Sequence, residues 1–224
     1  MTQNEDLKKN VEEALLWEPL LHGTDIRVAV TDGIVTLSGT VDRFPKKFEA
    51  ERVVKTLHGV KGIVEKIEVC HAEEWTALDD AVIANNAVKS LEWNWKLPKN
   101  CIRITVENGW ITLDGTVQWY HEKEEAMRTL LNLDGVAGIS NQLAVHSPLA
   151  DSIEKRTIQR QLQKSWALHT CDILVEVNGP LVILIGAVHS IYQKEEASRI
   201  AWKTPGVDHI ENKLIIKNTV QYAL

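Results

Sequence analysis

Thr31-Asp32-Gly33-Ile34-Val35-Thr36-Leu37-Ser38-Gly39-Thr40-Val41 decides the fold, because the chain writes it three times. The second copy is Glu107-Asn108-Gly109-Trp110-Ile111-Thr112-Leu113-Asp114-Gly115-Thr116-Val117. The third lies within Val177-Asn178-Gly179-Pro180-Leu181-Val182-Ile183-Leu184-Ile185-Gly186-Ala187-Val188. In each, an Asp-Gly or Asn-Gly dipeptide stands between alternating apolar runs, and such dipeptides tolerate the positive φ angles of a tight two-strand turn. Each copy is therefore expected to be a β-hairpin.

With Gly39, Gly115 and Gly186 aligned, the copies are offset by 76 and then 71 residues. Ile26, Ile102 and Ile173 open the strand before each hairpin. Gly59-Val60, Gly135-Val136 and Gly206-Val207 follow it at one fixed distance, and Ile63, Ile139 and Ile210 open a last alternating run. Register held this long without gaps marks repeated modules.

Upstream, Leu7, Val11, Ala14 and Leu15 lay one apolar stripe along a helix. Ala87, Leu91, Ile158 and Leu162 repeat it. Between hairpin and Gly-Val pair, Glu49-Ala50-Glu51-Arg52, Glu125-Ala126-Met127-Arg128 and Glu196-Ala197-Ser198-Arg199 mark a second helix. Glu and Arg lie three apart on its face, and alanine allows close approach to a sheet. Val54 and Leu57, then Leu130 and Leu133, continue the buried side, whereas Ala201 and Thr204 require the third core to be filled differently. Gly59, Gly135 and Gly206 stop this helix where a left-handed cap suits glycine.

The predicted fold class is α+β: three tandem αββαβ modules, each a three-stranded sheet with two helices on one face. The expected spans are 3–71, 76–147 and 150–218, with short linkers near 72–76 and 147–151, the latter marked by Pro148. A module of this size has a small core. The three are expected to pack on one another, at least in part.

The hairpin glycines, Val-x-Leu-x-Gly-x-Val over Val35 to Val41, the central Glu-Ala, the Gly-Val pair and Asn141-Gln142-Leu143-Ala144-Val145 together resemble the BON domain, a bacterial module. Glu65 departs from the asparagine that Asn141 and Asn212 keep, and Pro180 from the turn glycine. The resemblance implies attachment to phospholipid surfaces and a place in envelope or osmotic stress, with no catalytic residues. It also implies export, although Met1-Thr2-Gln3-Asn4-Glu5-Asp6 does not read as a secretory signal. The chain as written reads as cytoplasmic, and as periplasmic if its true start lies upstream.

A net charge of -6 argues against a general nucleic-acid binder. No stretch approaches the roughly 18 apolar residues of a membrane span. Cys70, Cys101 and Cys171 lack CxxC spacing and suit reduced core thiols. No nucleophile elbow, phosphate-binding loop or His-Glu-x-x-His motif is present, so neither catalysis nor a cofactor is expected. His121, His189 and His209 show no metal-ligand spacing, and no metal site is assigned.

Two surfaces stand out as binding candidates. The turn opening each second helix carries Phe44, Lys46 and Lys47, then Trp119, Tyr120 and Lys123, then Ile191, Tyr192 and Lys194. A large apolar residue followed by lysine suits an interfacial lipid anchor. It suits a hydrophobic staple with solvated lysines better. The second surface is the outer sheet face of the third module, where Leu174, Leu181, Ile183 and Ile185 replace the polar residues of the other copies. Either a neighbouring module or second chain covers it, or an acyl chain or partner protein binds there. Trp17, Trp93, Trp95 and Trp166, at the ends of first helices, are expected to plug the core, and Trp75 to pin one module to the next.

The leading expectation is a non-enzymatic protein that meets a phospholipid surface or an envelope partner. The alternative is an interaction scaffold or homo-oligomer built on the third sheet face, or a sensor of a small cation.

Overall fold

A computed structural model describes residues 3–70, 78–146 and 155–217. The first module comprises α1 (Gln3–Trp17), a short 3-10 turn (Pro19–Leu21), β1 (Asp25–Thr31), β2 (Ile34–Val41), α2 (Phe44–Thr56) and β3 (Gly62–Val69). The second comprises α3 (Asp80–Trp93), β4 (Ile102–Glu107), β5 (Trp110–Val117), α4 (Tyr120–Leu130), β6 (Gly138–Asn141) and β7 (Ala144–Val145). The third comprises α5 (Lys155–Lys164), β8 (Ile173–Asn178), β9 (Leu181–Val188), α6 (Ile191–Trp202) and β10 (His209–Ile216). The αββαβ order is thus the one expected, with one difference: the last strand of the second module is broken at Gln142-Leu143.

The sheets run β1-β2-β3, β4-β5-β6 and β10-β9-β8, with β7 also pairing with β5. In the third module β8 and β9 form the antiparallel hairpin, and β10 returns parallel to β9 after the α6 crossover. Its core shows why both helices lie on one face. Val175, Val182, Leu184, Val188 and Leu214 from the strands meet Ile158 and Leu162 of α5 and Ala197, Ile200 and Ala201 of α6. Period-two strands and period-3.6 helices deliver these residues to one side. Ile200, where the second module has Thr129, and the packed Trp202 join this core beside Ala201.

The hairpin turns follow two chemistries. Asn108 and Gly109 have φ of 51° and 74°, the doubly positive pattern of a type I′ turn, and Asp32 and Gly33 match them. In the third copy Asn178 pairs with Leu181, so the turn residues are Gly179 and Pro180. Only Gly179 is left-handed there, with φ 59°. The Asn-Gly dipeptide is therefore not that turn's centre. Glycine followed by proline suits the II′ form, whose second position takes the negative φ that proline imposes.

The chain divides into two compact units, Met1–Ser38 with Glu49–Lys66 and Leu149–Leu224, and Gly39–Phe48 with Ile67–Pro148. Each contains pieces of more than one module. In the first unit, Lys55 of α2 pairs with Glu195 of α6 at 2.9 Å, and the His58 and His189 ring centroids lie 6.0 Å apart. In the second, Phe44 packs into the core of the second module with Ile83, Leu91, Ile111 and Leu113. The expected packing of modules on one another is present within each unit, because a module this small leaves apolar surface that a neighbour covers. Trp75 and the two linkers lie outside the described residues.

Candidate interaction surfaces

The turns that open the second helices are occupied by intramolecular bonds. In the second module Glu122 Oε2 accepts from the backbone N–H of Gln118 and Trp119, at 2.9 and 3.0 Å. In the third, Gln193 Oε1 accepts from His189 N–H at 2.6 Å while Ser190 Oγ accepts from Gln193 N–H at 3.2 Å. In the first, the equivalent Lys46 reaches Asp42 at 2.8 Å and holds the Asp42 carboxyl below its ordinary range. Three residue types thus make one contact, from the third helical position back toward the residue before the cap.

The lysines one position further on are clamps. Lys47 donates to the Ile67 carbonyl at 2.9 Å, and Lys123 to the equivalent Leu143 carbonyl at 2.6 Å. Burial pushes the Lys123 ammonium below its usual pKa. Phe44 departs from the expectation of an exposed anchor: it is 7% exposed, its ring held in the second module's core. Trp119, Tyr120, Ile191, Tyr192 and Lys194 are half-buried, and Tyr192 packs against the third core. Of these positions, Lys47 and Lys123 tie their helix to the last strand and Tyr192 packs on its module's core.

The outer face of the third sheet is divided. Ile183 is 9% exposed, whereas its neighbours Leu174 and Ile185 are 51% and 36% exposed, and Leu181 is half-buried. Leu174 and Ile185 are cross-strand partners, and Ala187 pairs with Ile215, itself 64% exposed. The chain therefore covers the Ile183 end of this face and leaves Leu174, Ile185 and Ile215 as an open patch. Ile215 escaped the sequence reading, which followed the hairpin faces and not the third strand; the alternation Leu214 in, Ile215 out would have found it.

The largest correction concerns tryptophan. Trp17, Trp93, Trp95 and Trp166 are 83%, 88%, 88% and 79% exposed, so none plugs a core. The reason is angular. Leu15 and Leu91 already fill the stripe, and Trp17 and Trp93 follow two residues later, about 200° round the helix. Beyond the helix ends the loops are pinned by other residues. Asn94, between Trp93 and Trp95, donates its amide to Glu125 Oε1 at 3.2 Å and Thr129 Oγ1 at 2.8 Å. Its own Oδ1 accepts from Lys96 N–H at 3.1 Å. The Asn94 and Lys96 donors hold the Glu125 carboxyl below its ordinary pKa. In the third module Ala167 and Leu168 are buried, and Gln193 Nε2 donates to the Ala167 carbonyl at 2.8 Å. Held this way, the flanking indoles project outward.

The thiols also differ from expectation: Cys70 and Cys101 are exposed and only Cys171 is half-buried, and all three are free thiols. Burial raises the Cys171 thiol pKa. Among the described residues no group of three His, Cys, Asp or Glu side chains converges to hold a metal. No described helix is long and apolar enough to cross a membrane.

Comparison with known proteins bears directly on the repeats. The family model described as BON domain matches residues 3–71, 79–147 and 150–218. The chain belongs to the BON domain family. Osmotically-inducible protein Y of Escherichia coli (strain K12) is 29% identical over 137 residues, 59% of this chain and 68% of that protein. Two structures of CdsD, a structural protein of the type III secretion system of Chlamydia trachomatis, align at 15% and 16% identity, each with a TM-score of 0.27. They cover 96% and 97% of this chain and 94% and 100% of their own, and at that score they transfer nothing to it.

The BON asparagines explain themselves in the structure. Asn141 donates to the Lys123 carbonyl at 2.8 Å and Asn212 to the Lys194 carbonyl at 2.8 Å, while each Oδ1 accepts from the N–H two residues on. Each amide ties the first turn of the module's second helix to its last strand. Asn212 also reaches Ser198 Oγ at 2.7 Å. Asn212→Ala is expected to lower the stability of the third BON module by about 1–3 kcal/mol, read from urea unfolding, because half-buried partners lose their bonds.

Proposed function

We propose that this BON protein is a non-enzymatic, stress-related binding protein that attaches to a phospholipid surface or an envelope partner. The observation that carries the reading is the distribution of side chains. Lys47, Glu122 and Lys123 of the second-helix turns are bonded within their own modules, whereas large apolar side chains, Trp93, Trp95, Trp166 and Leu174 among them, are displayed outward. Such a surface works by contact. The kinship with an osmotically inducible protein supports the stress association.

A second reading is favoured by the open patch of the third sheet: Leu174, Ile185 and Ile215 suit self-assembly or a protein partner. Two measurements separate the readings. Co-sedimentation of the full chain with phosphatidylglycerol vesicles is expected to show binding at low salt that weakens as salt rises. Absence of binding at low salt removes the lipid reading. If light scattering instead finds an oligomer that Ile185→Lys dissociates, the assembly reading takes its place. Ile185 is the better probe than Ile183, whose burial would confound folding with association.

A further inference from the structure

We infer that the outer face of the third sheet docks on the same face of a second copy of this chain, about a two-fold axis running across the strands. The inference rests on the self-assembly branch of the proposed function and gives it an occupant and an arrangement. On that face β10 and the residue after it show Glu211, Lys213, Ile215 and Lys217 to solvent, while Leu214 turns into the core. Register sets Glu211 level with Ile183, Lys213 with Ile185 and Ile215 with Ala187. Lys217 comes next on this side, its N–H bonded to the Val188 carbonyl. Leu174 lies level with Ile185 on the opposite border. The open apolar patch therefore sits midway between Glu211 and Lys217. Glu176 of β8 shares the level of Ile183 with Glu211, so that end of the face carries two carboxylates.

Opposite charges set at equal distances from an apolar centre make a face complementary to itself. Glu211 and Lys217 stand about 10 Å to either side of Leu214 along the strand. A two-fold across the strands reverses their direction and lays β10 over β10, so Glu211 of each copy meets Lys217 of the other. A two-fold along the strands would instead lay β8 over β10 and set Glu176 against Glu211, carboxylate facing carboxylate. The charges thus select the first axis. Glu211 already pairs with Lys213 at 3.1 Å, but both side chains are half-exposed, and a surface pair of this kind is weak and readily shared. The face is peculiar to this module: Ile183 and Ile185 stand where the first has Thr36 and Ser38 and the second Thr112 and Asp114. Three strands of this length offer each partner roughly 300–400 Å², about half the usual share of a stable interface. The dimer is therefore expected to be weak and salt-sensitive.

The test is sedimentation equilibrium of the full chain at low salt, carried to about 500 µM, where a weak dimer is populated. The native chain is expected to show a monomer-dimer equilibrium that weakens as salt rises, and Ile185→Lys to abolish it. Glu211→Lys and Lys217→Glu, each alone, set like charges opposite one another and should weaken the dimer about fivefold or more. An equal mixture of the two variants should regain it, because in the mixed pair each exchanged charge faces its opposite. Circular dichroism of each variant should match the native chain, since the replaced side chains stand in solvent. If Ile185→Lys dissociates the dimer but the mixture regains nothing, or Glu211→Lys tightens it, this arrangement is overturned while the self-assembly reading stands. If the native chain stays monomeric throughout, or its dimer survives Ile185→Lys, a second copy does not occupy this face and both fall.

Discussion

Gly115→Ala is expected to lower the stability of the second module by about 2–5 kcal/mol, read from the denaturant midpoint of its unfolding transition. Two causes add. Gly115 has φ 132°, where a Cβ is strained whatever the space. A Cβ at this position would also sit 2.1 Å from the Cys101 carbonyl oxygen, at the point where β5 pairs with Ile102 of β4. The obstacle is backbone on the adjacent segment, so relief requires the hairpin itself to shift. Gly186 repeats the geometry in the third module, with φ 145° and the Asp172 carbonyl oxygen 2.3 Å from where a Cβ would stand, and Gly186→Ala should behave alike. A loss below about 0.5 kcal/mol, the level of an ordinary surface change, would mean that the hairpin end is far softer than its geometry implies.

Phe44→Ala is expected to cost about 3–5 kcal/mol in the unit formed by residues 39–48 and 67–148, while leaving vesicle binding unchanged below the unfolding transition. The ring lies among Ile83, Ala87, Leu91 and Leu97, and its removal opens a cavity in a core shared by residues of two modules. The lysine-turn anchor predicts the reverse: little effect on stability and a loss of lipid binding. Denaturant unfolding and co-sedimentation on one preparation distinguish them. Because the chain holds two units, the expected signature is a shift in one transition and not in the whole curve.

The module was legible before any coordinates because its determinants are local. Asp32-Gly33 and Asn108-Gly109 specify a turn through backbone angles alone, and Leu7, Val11 and Leu15 specify a helix face through spacing alone. Gly59, Gly135 and Gly206 are left-handed at 89°, 84° and 89°, but they lie past the helix ends at Thr56, Leu130 and Trp202. They stand in the turn that leads to the last strand and are not the caps that the repeat pattern led one to expect. Pro180 marks the limit of such reading. The dipeptide Asn178-Gly179 looked like its counterparts, but strand register moved the turn one residue on, and register is a property of two strands.

The candidate surfaces were less legible. A turn bearing an aromatic and a lysine reads alike whether its lysine meets a phosphate or a carbonyl, and Lys123 meets the Leu143 carbonyl, 20 residues away. The tryptophans were visible as residues, and their offset made them a set. Their exposure depended on which side chains pin the loop, and Asn94 finds Glu125 and Thr129, 31 and 35 residues on.

By itself, the sequence determined that this chain is three copies of one BON unit, since helix spacing, strand alternation and turn chemistry act over a few residues and survive repetition. Tertiary structure decided which of the shared positions face water. That choice depends on whether a distant residue arrives to cover or hold a side chain, as the second core covers Phe44 while Trp93 is left 88% exposed among the described residues.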